Sequence, residues 1–238
     1  QSAMDGVLAA YMGKEGYYAP PTVFEGREGF LNLFSFKGGS HGYEPMLPHG
    51  INFPEKLTEN FGTKWEMADN SIKLHSCCRF TNNYCDCGID IHNQPGFDYR
   101  NVKAIHAEVN KFTDDKMCHP EDVKRHPVNI VNAQFSLFYE IACALVKGRV
   151  LPESFTEEAI KDERISKLCD LITWEISDEF EAVYPDRYPA RVTVTMNDGS
   201  VYVGEVAYPK GDPEYPATKE EVIEKFRNNA ANTIGSVK

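Results

Sequence analysis

Apolar residues in NAQFSLFYEIACALVK (132–147) recur at Phe135, Phe138, Ile141, Ala142 and Leu145, and Gly148 follows them. This three-or-four spacing predicts an amphipathic helix with a glycine stop. A period of two governs KAIHAEVNKF (103–112): Ile105, Ala107 and Val109 alternate with His106, Glu108 and Asn110, the pattern of a half-buried strand with one wet face. RVTVTM (191–196) and VYVGEVAY (201–208) alternate around Asp198-Gly199 and predict a hairpin. Thr218 and Glu221 form a capping box ahead of Val222, Ile223 and Phe226, so a helix starts there. Nearer the N-terminus, Val7, Leu8, Tyr11 and Met12, then Phe30, Leu31 and Phe34, predict two short helices interrupted by APP at 19–21. Glycines and prolines crowd the stretch from Gly38 to Pro54, which reads as an extended connection. The order of elements is helices, an α+β unit from Ser71 onward, and a closing helix; the fold class is α+β.

Composition narrows the picture. The chain has 238 residues and 42% hydrophobic residues, enough for a sizeable core. No apolar run approaches the ~20 residues of a membrane span. A net charge of -11 repels phosphate backbones and anionic membranes, so neither nucleic acid nor a membrane is expected as a partner. Seven cysteines, an odd number without a regular framework or a preceding secretory signal, fit a reducing cytoplasm. QSAM (1–4) reads as a cloning remnant, and DGVLAAYM after it reads as the interior of a longer helical protein.

The densest candidate chemistry is KLHSCCRF (73–80). Cys77, Cys78, Cys85, Cys87 and His92 lie close in sequence, but adjacent cysteines and a C-x-C lack the paired C-x(2–4)-C spacing of a zinc knuckle. Packing thiols are therefore expected, with no metal and no disulfide. On a continuous strand, His75 shares a face with Lys73 and Cys77, which leaves it either a satisfied strand histidine or a proton-transfer group. Lys73 and Arg79 are an even number of residues apart. They are either ordinary surface cations or the grip for a multi-carboxylate ligand.

Four segments together resemble the C-terminal half of the MmgE/PrpD family, which includes 2-methylcitrate dehydratase, cis-aconitate decarboxylase and iminodisuccinate epimerase. They are IKLHSCCRFTN (72–82), NAQFSLFYEIACALVKGRV (132–150), YPARVTVTMNDGSVYVGEV (188–206) and YPKGDPEYPATKEEVIEKFRNNA (208–230), in the family's order. The likeness runs from about Asp5 to the end. It implies a lid-type α+β domain with a small sheet and packed helices, over 72–212. Helices of an all-α domain flank it, at 5–71 and from 213 to 238. It implies a cytoplasmic lyase or isomerase that moves a proton next to a carboxylate of a small di- or tricarboxylate, needs no metal or other cofactor, and is a homodimer at full length. Carried over residue by residue, Lys73 matches a substrate-facing lysine and Tyr139 the tyrosine of F-S-x-x-Y. Lys73, Tyr139 and His75 are the expected catalytic residues, and Lys73, Arg79 and Cys78 the expected substrate contacts. Cys78 stands where decarboxylase-like members have histidine, which puts dehydratase or isomerase chemistry ahead of decarboxylation. On this reading the piece by itself is inactive. Its rivals are a non-catalytic assembly module of the same fold and a cysteine-based metal protein.

Overall fold

The computed structural model describes residues 1–24 and 59–234. The predicted second helix around Phe30 to Phe34 and the connection from Gly38 to Pro54 lie outside them. The chain divides into two compact units, residues 1–65 and 66–238. In the first, α1 (Ser2–Lys14) carries the expected Val7, Leu8 and Tyr11, and all three are exposed.

The second unit holds α2 (Asn82–His92), β1 (Val102–Val109), α3 (Glu121–Arg125), α4 (Ile130–Gln134), α5 (Leu137–Lys147), α6 (Glu163–Cys169), β2 (Ile172–Ile176), α7 (Asp178–Val183), β3 (Ala190–Met196), β4 (Val201–Val206) and α8 (Lys219–Ile234). This is an α+β fold with a small sheet, as the pattern predicted. The strands lie in the order β2-β1-β3-β4; β1 and β2 are parallel, and the other pairs antiparallel.

One sheet face is apolar. Ile105, Ala107 and Val109 of β1 and Val192, Val194 and Met196 of β3 are buried on it, and α2 packs against β3 and β4. Gly204 permits that approach, because a Cβ there would sit 2.4 Å from the Cys87 carbonyl oxygen. The other face is wet: Arg191 reaches Glu108 at 2.7 Å and Glu205 at 3.0 Å across neighbouring strands.

Helix α2 is covered in turn by α5. The long predicted helix is in fact two, because Ser136 turns extended and caps the Tyr139 N–H at 3.0 Å. From Leu137 to Val146 every residue of α5 is buried, and Gly148 closes the helix at φ 64°. The contacts pair Cys85 with Glu140, Gly88 with Ala144 and His92 with Gly148, so α2 and α5 run in the same direction. At α8 the capping box is reciprocal: Thr218 N–H donates to Glu221 Oε2 at 2.7 Å and Glu221 N–H to Thr218 Oγ1 at 3.2 Å. Its Ile223 and Phe226 are exposed.

KLHSCCRF departs from expectation. It is not a strand of the sheet; residues 71–78 are irregular, a 3-10 turn follows at Arg79–Thr81, and α2 begins at Asn82. The reason lies in where its backbone bonds go. Ile72 N–H donates to Gly211 O at 2.8 Å and Cys78 N–H to Gln134 O at 2.8 Å, so two unrelated segments take the places a neighbouring strand would fill.

Candidate functional site

Two sequence segments far apart in the chain are fastened together here. PKGDPEY (209–215) folds back over KLHSCCRF, and Gly211, at φ 98°, passes so close that a Cβ on it would lie 1.9 Å from the Ile72 carbonyl oxygen. No other residue fits that position. On one side of this crossing Asp212 holds Arg79 through both carboxylate oxygens. On the other, Asp86 of α2 joins His75 Nε2 at 2.7 Å and accepts the Lys210 N–H at 2.9 Å. Burial alone would lower the His75 pKa, but the hydrogen bond and charge of Asp86 outweigh it and hold the imidazole above its ordinary value.

The sequence-predicted residues therefore end in three different environments. Lys73 is exposed; its carbonyl accepts from Lys225 Nζ, and among the described residues no acceptor lies against its own ammonium. Cys78 is nearly covered, and burial pushes its thiol up, while the positive charges of Lys73 and Lys124 both reach it. Lys124, on α3, is a cation that sequence reasoning missed; it donates to the Phe135 carbonyl at 2.6 Å. His75 is buried with Asp86. Arg79 lines a groove of about 290 Å³ that also carries Arg187, Asp69, Asp186, Asp212 and Glu214, so carboxylates outnumber cations there.

Tyr139 is in the core. Its hydroxyl donates to the Ser154 carbonyl at 2.6 Å, its ring leans on Phe155, and burial pushes its pKa up. A phenol so placed anchors the loop after α5.

Beneath the segment the fold gathers a group that spacing did not suggest. Cys77, Cys85 and Glu140 bring their ligand atoms within 4.8 Å of one another. Burial works against ionisation of Cys77, yet hydrogen bonds from Cys85 and Glu140, with the His75 charge and Thr81, bring that thiol down to about 7. Burial raises both Cys85 and Glu140. All seven cysteines are unpaired and buried. Glu140 did carry a signal in the sequence: it is the one acid in the otherwise apolar LFYEIACALV.

Residues 75–238 match the MmgE/PrpD C-terminal domain. The chain belongs to the MmgE/PrpD family. A cis-aconitate decarboxylase-like protein, oryM, of Aspergillus oryzae is 29% identical over 252 residues, which cover 99% of this chain and 48% of that protein. The chain thus spans about half the length of the curated relative it matches. No helix among the described residues is long and apolar enough to cross a membrane.

Proposed function

We propose that this chain is the C-terminal portion of a lyase or isomerase that moves a proton next to a carboxylate of a small di- or tricarboxylate such as 2-methylcitrate. The observation that carries the reading is the fastened crossing of KLHSCCRF and PKGDPEY. It leaves Lys73 exposed, with no acceptor among the described residues against its ammonium, and the positive charges of Lys73 and Lys124 both reach Cys78. Removing a proton from carbon next to a carboxylate builds negative charge on that carboxylate, and a fixed cation stabilises it most where water is partly excluded. Lys73 binds the substrate carboxylate, with Cys78 as a further substrate contact. His75, locked to Asp86, holds the segment in place, and Arg79, tied to Asp212, holds the crossing. The rest of the catalytic set, and the partner subunit of a homodimer, belong to the full-length protein.

The name of the Aspergillus relative favours a second reading, release of carbon dioxide from an unsaturated tricarboxylate. One assay separates the two. The full-length protein is incubated with 2-methylcitrate, citrate and cis-aconitate, while alkene absorbance and evolved carbon dioxide are followed together. Dehydration without gas supports the first reading and gas evolution the second. Turnover on none of these acids, or Lys73→Ala with unchanged kcat/KM, removes the proposed site.

A further inference from the structure

Cys77, Cys85 and Glu140 come from three places: the irregular segment, the first turn of α2 and the first turn of α5. The Cys77 and Cys85 sulfurs are 3.7 Å apart, and Cys85 Sγ is 3.8 Å from Glu140 Oε2. Zinc holds thiolates at about 2.3 Å and carboxylate oxygens at about 2.0–2.2 Å, so a tetrahedral ion spaces two sulfurs by roughly 3.8 Å and a sulfur and an oxygen by roughly 3.5 Å. These two gaps therefore lie within a few tenths of an ångström of those that one ion would set, and the third, between Cys77 and Glu140, is within 4.8 Å.

A second observation points the same way. Glu140 is wholly buried, and its Oε1 has no hydrogen-bond partner. The nearby Thr81 hydroxyl donates to the Cys78 carbonyl at 2.9 Å, and its pull on Glu140, which lowers the acid's pKa, is outweighed by burial. Buried polar atoms are almost always paired, so an unpaired oxygen on an acid whose other oxygen lies against Cys85 marks a place where a cation fits. Asn82 Nδ2 adds a hydrogen bond to Cys77 Sγ at 3.2 Å, the kind of outer support that orients a metal-bound thiolate.

We propose that Cys77, Cys85 and Glu140 bind one zinc ion, as three of the four ligands that zinc takes. This reverses the expectation of packing thiols: the spacing rules for zinc knuckles describe ligands on one hairpin, whereas these three are assembled by tertiary packing. Binding releases the two thiol protons and the Glu140 proton. The ion ties the irregular segment to both helices directly beneath Cys78. The proposal does not depend on the function proposed above.

The test uses the untagged chain, expressed with added zinc and dialysed against metal-free buffer, with metal measured by plasma mass spectrometry and free thiols counted in parallel. The expected result is about one zinc per chain. Cys85→Ala and Glu140→Gln should retain about a tenth of that or less, and Cys118→Ala, a buried thiol outside the cluster, all of it. Should either ligand variant fail to fold, cobalt titration of the metal-free wild type decides the matter, since only thiolate ligation gives intense near-ultraviolet charge-transfer absorption. The proposal is overturned by a zinc-loaded wild type with far less than one ion per chain, by unchanged zinc in both ligand variants, or by cobalt binding without the thiolate band.

Discussion

Cys85 and Asp86 are consecutive residues of α2, yet they face opposite fates. Asp86 is covered and fully served: a histidine and a backbone N–H from a distant loop meet its two oxygens. The acid beside Cys85, Glu140, is more deeply covered and left with an unpaired oxygen. Burial depth therefore does not decide whether a covered acid is satisfied; donor supply does. The first site holds three segments together by itself; the second, on the proposal above, does so with a bound cation.

Breaking the served site should have the largest effect. Asp86→Ala strands the His75 ring and the Lys210 N–H, and chemical denaturation should show a loss of about 3 kcal/mol; a loss below about 1 kcal/mol would mean that the two sites are alike. The opposite sign is expected at Glu140. With zinc removed by chelator, Glu140→Met replaces an orphaned acid by an apolar side chain of similar length and should stabilise the chain by about 1–2 kcal/mol, seen as a higher Tm. With zinc present, the same substitution should destabilise it. Tyr139→Phe removes a neutral buried hydrogen bond and should cost about 1 kcal/mol while leaving kcat of the full-length protein unchanged. A lower kcat at unchanged Tm would instead make the hydroxyl a proton donor in the reaction. Lys73→Ala should shift stability by less than about 0.5 kcal/mol while lowering kcat/KM in the full-length protein.

What could be read from the sequence was whatever local pattern decides. The alternation of Ile105, Ala107 and Val109, the Asp198-Gly199 turn and the Thr218–Glu221 box each state their structure within a few residues, and each is present. Strand β2 escaped because it is an edge strand whose ITWEI shows no clean alternation, with only Ile172 buried. The split between α4 and α5 escaped because Ser136 sits in an apolar run whose period continues across it. KLHSCCRF was misread as a strand for a different reason: its side-chain pattern is extended, but its hydrogen-bond partners, Gly211 and Gln134, lie far along the chain in different directions. The buried trio is likewise a product of packing, and only the lone acid of α5 hinted at it.

Gly88 gives that packing a mechanical meaning. A Cβ on Gly88 would lie 2.6 Å from the Ala144 Cβ, and Cys85 and Glu140 stand about one turn earlier on their respective helices. The helices behave as the jaws of a calliper closed on a single hydrogen atom, and the reading at their tips is the sulfur-to-carboxylate gap. Adding one methyl group at residue 88 would pry the jaws apart and widen that gap without touching any of the three side chains that define it.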